Sequence, residues 1–479
     1  MADERTYDVV VLGAGPPGEN AAQVAVNAGL SAAVVESELI GGECSYYACM
    51  PSKALLRPVA ALAGAKGVDG SRQAVTGDLD VQAVLARRDA FASHWDDAGQ
   101  VDWLDGAGVD LVRGHARITA ERTVVVESGA GEPVTLRAHH AVVVSTGSEA
   151  AVPAIPGLRE ARPWTSREAT TAKFVPPRLA IIGGGVVGCE MADAYTAFGS
   201  AVTMLVRDDR LLTGVEPFAG EAVRASLERR GADIRLNANA SAVERRDTGD
   251  EPIVVLTASD GSAIEADEVL VATGRAPRTH GIGLDAVGLE DGAWIEVDDT
   301  CLATGVPGGW LYAIGDVNRR ALLTHMGKYQ ARASGAAIVA RARGERADAS
   351  TWSPTAATAD HTAVPQVIFT HPEVAAVGRT EQQAREDGLT VRAVDYSIGN
   401  VAGGALHADG YDGQVHAVVD EDRRVLVGVT LTGADVGEML HAATIAVTGE
   451  VPIDRLWHAV PAFPTMSELW LRLLETYGS

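Results

Sequence analysis

Twice along this chain an apolar run enters a turn built on three spaced glycines and leaves it as a helix of small residues leading to a second apolar run. The first copy is Tyr7–Leu12, then Gly13-Ala14-Gly15-Pro16-Pro17-Gly18, an alanine-rich helix to Ala28, and Ser31–Val35 closed by Glu36. The second is Leu179–Ile182, Gly183-Gly184-Gly185-Val186-Val187-Gly188, a helix over Cys189–Phe198, and Ala201–Val206. Such short apolar runs are strands buried on both faces, and each strand–helix–strand unit must wind into a parallel sheet. Glycine at 13, 15 and 18, and again at 183, 185 and 188, permits the tight turn and lets backbone approach a pyrophosphate at the helix N-terminus. Glu36 ends its strand where an acid accepts from a ribose hydroxyl. Two units predict two dinucleotides. The second ends in Val206-Arg207-Asp208-Asp209-Arg210, with arginine where the acid would stand. A guanidinium pairs with a 2′-phosphate that an acid would repel, so Arg207 and Arg210 favour NADPH over NADH.

Between the units, Val81–Trp95 has a helical pattern, and Arg122–Val126 with Val134–Arg137 reads as a small hairpin region. Ala141–Gly147 is a buried strand entering a turn, echoed by Glu268–Arg275 at the close of the second unit. A helix from about His325 to Arg343 precedes a polar linker over 344–363, and 364–479 alternates strands with helices as a separate α+β region. At 479 residues the chain is too long for one core and should form about three or four domains. A formal charge of −24, with no basic run, argues against a nucleic-acid partner. The charged first residues exclude a signal peptide and no apolar stretch can span a bilayer, so a cytoplasmic protein with no membrane partner is expected.

Four cysteines in so long a chain are not a disulfide scaffold. Two of them, Cys44 and Cys49, lie in Gly41-Gly42-Glu43-Cys44-Ser45-Tyr46-Tyr47-Ala48-Cys49-Met50-Pro51-Ser52-Lys53, one short loop after the first fingerprint. A dithiol there is placed to exchange electrons with a flavin. On a regular helix, residues five apart have Cα atoms roughly 8.7 Å apart, beyond the ~4.4–6.8 Å of a disulfide, so the pair needs a distorted turn. Gly41-Gly42 supplies the freedom before it, and Pro51 is expected to start the next helix. A thiolate near that helix N-terminus and the Lys53 charge is expected to have a lowered pKa. A zinc site fails for want of a second ligand pair, since Cys189 follows the second glycine turn and Cys301 is isolated.

With these residues in view the chain resembles the flavin-dependent pyridine nucleotide–disulfide oxidoreductases, the class of dihydrolipoamide dehydrogenase, glutathione and mycothione reductases and mercuric reductase. The likeness runs from about residue 7 to 476. It rests on the first fingerprint with Glu36, Gly-Gly-x-Cys-x4-Cys-x-Pro-Ser-Lys at 41–53, Ser-Thr-Gly at 145–147 and the second fingerprint. Ala-Thr-Gly-Arg at 272–275, Tyr-Ala-Ile-Gly-Asp at 312–316 and Phe-Thr-His-Pro-Glu-Val at 369–374 complete it. The resemblance implies an α/β fold of two Rossmann-like dinucleotide-binding domains plus a C-terminal α+β dimerisation domain. Its divisions would be an FAD-binding domain over 1–155, an NAD(P)H-binding domain over 156–276, a return to the FAD domain over 277–350, and an interface domain over 351–479. It implies FAD held through Gly42, Thr146, Gly147, Gly315 and Asp316 as well as the first fingerprint, with Glu36 on the ribose and Asp316 on the ribityl chain. Gly274 falls to the nicotinamide nucleotide. A Lys53–Glu190 ion pair would lie beside the flavin, Cys49 would contact the flavin, and Cys44 would exchange with substrate. A C2 homodimer is implied, the interface domain completing the partner's site.

One position departs from the family. Where its disulfide reductases carry His-Pro-x-x-x-Glu, this chain reads Phe463-Pro464-Thr465-Met466-Ser467-Glu468. Phenylalanine carries no proton, so Glu468 has lost its partner and a step usually worth ~10²–10⁴ in rate must be supplied otherwise. His458 would reach the site only by a different loop path. A small disulfide with a low-pKa leaving thiol, such as that of a heteroaromatic thione of the ergothioneine kind, needs no proton to depart. Quinones or dyes would instead take electrons from the flavin directly, and mercuric ion ranks last for want of a C-terminal cysteine pair and an N-terminal metal-binding domain. Ordinary dihydrolipoamide turnover should be poor. A non-enzymatic flavoprotein scaffold is disfavoured by the retained cysteines, Lys53 and Glu190.

Overall fold

The computed structural model describes residues 3–128, 131–246 and 252–478. Its elements that bear on function begin with strand β1 (Asp3–Leu12), helix α1 (Pro16–Asn27), strand β2 (Ala32–Glu36) and helices α2 (Gly42–Tyr46) and α3 (Cys49–Lys66). There follow β3 (Val134–Val144), β4 (Arg178–Ile182), α4 (Val186–Ala197), β5 (Ala201–Leu205) and α5 (Pro217–Arg229). The last are β6 (Glu268–Val271), β7 (Leu311–Ala313) and α6 (Thr324–Ala342). The chain divides into two compact units, one made of residues up to Met50 with Ala90–Glu149 and Arg275–His361, the other of Pro51–Asp89, Ala150–Gly274 and the residues from Thr362 on.

In the first unit β1 runs parallel to both neighbours, with Val9 opposite Ala32 of β2 and Val10 opposite Val142 of β3. Successive side chains of a strand face opposite ways. Val9 and Val11 therefore pack with Ala21 and Ala25 of α1 and Ala337 of α6, and Val10 and Leu12 pack with Leu136, Val142 and Trp310. The expected hairpin strand and the expected buried strand are one element. β3 offers its second edge first to Thr123–Glu127, antiparallel, and then to β7, parallel. Against α1 the backbone of α6 comes close enough that a Cβ at Gly327 would lie 2.5 Å from the Pro17 ring.

The second unit repeats the theme. Its parallel sheet has the order Asp233–Arg235, β5, β4, β6, with Ile181, Met191, Tyr195, Met204 and Leu270 in its core. Helix α4 begins at Val186, three residues before the expected start, because Gly185 is its N-cap and the turn itself leads into the first helical residue. A five-stranded antiparallel sheet follows, ordered Pro365–Ile368, Glu373–Gly378, Val425–Gly433, Gln414–Asp420, Val391–Ser397, and the amphipathic helix Leu469–Gly478 buries Leu469, Leu473 and Leu474. Among the described residues no helix is long and apolar enough to cross a membrane.

Candidate active site

The first glycine turn is closed by backbone contact. A Cβ on Gly18 would stand 2.0 Å from the Gly13 carbonyl oxygen, and one on Gly13, at φ +98°, 2.4 Å from that of Ser145. Gly15 caps α1 with no side-chain acceptor; Pro16 and Pro17 carry no N–H and the Glu19 N–H bonds the Gly15 carbonyl, so Gly18 supplies the first-turn amide left for a ligand. The Glu36 carboxylate accepts from the Ala14 and Glu38 amides, each at 2.8 Å, which places it beside the turn with lone pairs to spare.

Over this turn opens a cleft of about 510 Å³, whose lining includes Gly13, Gly15, Glu36, Gly42, Cys44, Thr146, Gly147, Gly315 and Asp316. Two hydroxyls at its wall, Ser145 Oγ and Thr146 Oγ1, are buried without a partner, a debt that a bound polar group settles. Asp316 accepts from Ser148 Oγ, which in turn accepts from Arg275 Nε at 2.9 Å. Burial pushes the Asp316 carboxyl up, opposed by that hydroxyl and the Arg275 charge. An anion-ready helix end, a ribose acid, orphaned hydroxyls and a second acid fit a flavin dinucleotide. Ser148 and Arg275 went unassigned in the sequence; Arg275 stood inside the quoted Ala-Thr-Gly-Arg motif and was its available signal.

The cysteine segment is broken as the spacing demands. Helix α2 stops at Tyr46, Tyr47 leaves helical space at φ −135° and ψ −8°, and α3 begins at Cys49. Gly41 and Gly42 both have positive φ, +106° and +57°. Pro51 is the third residue of α3 rather than its first. Cys44 and Cys49 are half-buried free thiols, and the Thr324 hydroxyl at the start of α6 lies 3.3 Å from Cys49 Sγ. The expected lowering of the thiol pKa is overturned for Cys44. The neighbouring Cys49 sulfur and burial push it well above the usual thiol range, while the Thr324 hydroxyl and the Lys328 charge pull it down. Two close sulfurs share a proton, and losing it in a dry setting costs more than a helix end returns.

In the second unit the turn geometry recurs. A Cβ on Gly188 would stand 2.5 Å from the Gly183 oxygen and one on Gly183 2.3 Å from that of Ala272, whereas Gly185 faces open space. Gly274, at φ +137°, ends the motif after β6. The Arg207 side chain is 78% exposed and pairs with Asp208 at 3.4 Å, and Arg210 donates to the Thr213 carbonyl at 3.1 Å. Glu190, on α4, is buried and takes Lys53 Nζ on both oxygens, at 3.0 and 2.8 Å, and the Phe369 amide at 3.0 Å. Lys53 also lies over the Phe369 ring, 4.9 Å from its centroid. One turn along α4, Asp193 holds the His371 amide at 3.0 Å and pairs with Arg230. The Phe-Thr-His-Pro-Glu-Val segment is thus tied to the second fingerprint helix.

Glu468 is buried with Oε2 unpartnered, and Phe463 is 76% exposed. His458 is exposed, its amide donating to the Arg455 carbonyl.

Residues 7–337 match the family described as pyridine nucleotide-disulphide oxidoreductase, and 364–473 match that family's dimerisation domain. A dihydrolipoyl dehydrogenase of Thermus scotoductus is 32% identical over 471 residues, 97% of this chain and 96% of that protein. A mercuric reductase of Shigella flexneri is 32% identical over 467 residues, 96% of this chain and 79% of that one. Among solved structures, the Cu(II) complex of the HOCl-induced flavoprotein disulfide reductase RclA from Escherichia coli superposes with a TM-score of 0.82 at 24% identity, covering 98% of this chain and 99% of that one. LpdA from Mycobacterium tuberculosis gives 0.81 at 24%, covering 99% of each. These two likenesses speak for the fold.

Proposed function

The chain belongs to the pyridine nucleotide-disulphide oxidoreductase family, and from that premise we propose that it carries electrons from NADPH, by way of FAD and the Cys44–Cys49 pair, to a small-molecule disulfide. That it is an FAD-dependent oxidoreductase using a pyridine nucleotide follows from the family itself. The observation that carries the finer reading is the thiol pair in a purpose-built helix break, with Cys44 on the wall of the first-unit cleft. Held by the cleft residues, FAD would supply the two-electron chemistry that links a pyridine nucleotide to sulfur. In the cleft Glu36 and Asp316 would orient the ribose and ribityl hydroxyls; in the second unit Lys53 and Glu190 are a charge pair fixed by the Phe369 amide. Cys49 is the sulfur on the flavin side and Cys44 the one that exchanges.

Phe463 narrows the acceptor. With no imidazole to donate a proton, the departing sulfur must leave as a stable thiolate, which favours disulfides of low-pKa thiols such as thione-derived ones. Exposed apolar residues in the dimerisation region, among them Leu406 at 69% and Val460 at 83%, support a homodimer.

Anaerobic NADPH titration tests the reading. The first equivalent should generate two alkylatable thiols and a long-wavelength absorbance before the flavin bleaches. Bleaching at one equivalent with no new thiol would refute it. Coenzyme choice is tested separately. Replacing Arg207 and Arg210 by alanine should raise the KM for NADPH about 10- to 100-fold, the value of charge-assisted bonds to one phosphate, and leave that for NADH nearly unchanged. Steady-state kinetics with both coenzymes read this out.

A further inference from the structure

The backbone turn that presents Asp316 to the first-unit cleft is held from behind by one fully buried side chain. After β7 the segment Gly315–Asn318 forms a single 3-10 turn, which opens on Gly315 at φ +72°. Helix α6 lies directly against it: a Cβ at Gly327 would stand 2.5 Å from the Pro17 ring and 3.2 Å from the Gly315 Cα. Gln330 lies on the same face of α6, one turn along. Its Oε1 accepts from the Gly315 amide at 2.7 Å and from Asn318 Nδ2 at 2.9 Å. Its Nε2 donates to Asp360 Oδ2 at 2.9 Å. Gln330, Asn318 and Asp360 are all buried.

The donor and acceptor roles along this chain of contacts leave one arrangement. The Arg320 amide donates to Asn318 Oδ1 at 3.0 Å, so the NH2 group of Asn318 is the end that faces Gln330 and, at 3.0 Å, the Ala313 carbonyl. An NH2 and a backbone N–H converging on one atom of Gln330 require that atom to be oxygen. The Gln330 NH2 then needs an acceptor, and Asp360, in the short helix Ala359–Thr362, supplies it. Arg320 stands 3.7 Å from the same Asp360 oxygen and pairs with Asp299, which His361 Nε2 also meets at 2.8 Å. The Tyr329 phenol and the buried Cys301 thiol, the other titratable groups near Asp360, are neutral.

We propose that Gln330 and Asp360 are positioning residues for the cofactor: Asp360 orients the Gln330 amide, and that amide fixes the Gly315-Asp316 turn on which FAD is held. The inference rests on reading the first-unit cleft as the FAD site. Both side chains act through the backbone of the turn.

The test is the rate of flavin release from diluted holoenzyme, read as free-flavin fluorescence, with the visible spectrum of the bound flavin recorded alongside. Gln330→Glu keeps an oxygen for Gly315 and Asn318 but sets a second carboxylate against Asp360 with no hydrogen between them. Release at about pH 9 should quicken about 10- to 100-fold, the effect of a buried group left unpaired. Toward about pH 7 that defect should shrink, because two facing carboxylates take up a shared proton. Combining Gln330→Glu with Asp360→Asn sets a donor against an acceptor again, and release should return to within about threefold of wild type, level across the same pH range. A Gln330→Glu rate equal to wild type, or a double variant no slower than the single one, would overturn the inference. If Gln330→Glu yields no soluble protein, Asp360→Ala and Asp360→Asn make the same comparison. Alanine leaves the Gln330 NH2 without an acceptor and should speed release about tenfold, whereas the asparagine oxygen still accepts and should not; equal rates overturn the inference. Asp316→Ala tests the reading beneath it. Faster release there with no effect at 330 or 360 removes the inference alone, and unchanged release in Asp316→Ala removes the cleft reading itself.

Discussion

Serine at position 44 should lower NADPH-dependent reduction of a small disulfide by on the order of 10³-fold or more, because a hydroxyl neither ionises near neutral pH nor forms the covalent sulfur intermediate. Quinone or dye reduction should persist in the same variant, since electrons leaving directly from a flavin do not pass through sulfur. That contrast separates the two electron-acceptor classes the sequence left open, and full disulfide activity in Cys44→Ser would end the disulfide reading. Cys49→Ser should fail differently, trapping Cys44 as a mixed disulfide with the acceptor that mass spectrometry can weigh. The pH dependence has a definite sign. Burial and the second sulfur raise the Cys44 thiol, so activity should climb with pH as the thiolate fraction grows. A protein with a depressed thiol would already be on its plateau.

Valine in place of Gly18 should yield protein largely without FAD. The added Cβ would sit 2.0 Å from the Gly13 carbonyl oxygen, and both partners are backbone, so α1 must move off the turn it caps. Overpacking costs about 3 kcal/mol or more when nothing flexible can yield, a factor of roughly 10² in cofactor affinity. Flavin absorbance per chain after purification is the measurement, and a stoichiometric holoprotein would show that the contact is not needed. Gly188→Val makes the matching clash at 2.5 Å from the Gly183 oxygen in the second unit. It should spare flavin content and weaken NADPH binding instead. Opposite outcomes from equivalent residues would identify which dinucleotide each turn serves.

What the amino-acid order could dictate was whatever depends on neighbours a few residues apart. Glycines 13 and 18, or 183 and 188, meet across a turn of six residues, so their spacing carries their geometry, and the five-residue interval between Cys44 and Cys49 calls for a helix break if the two sulfurs are to join. Phe463 declared the missing base in the same local way. The protonation of the thiols was not legible in this manner, because it is summed over groups brought in by tertiary packing. Thr324 lies 275 residues from the Cys49 it touches. Local logic, a helix end and Lys53, predicted a lowered thiol pKa; burial and a second sulfur reversed the sign. Short-range sterics are written in sequence spacing, whereas electrostatics and desolvation depend on every charge and dry surface within several ångströms, and only the folded chain says which those are.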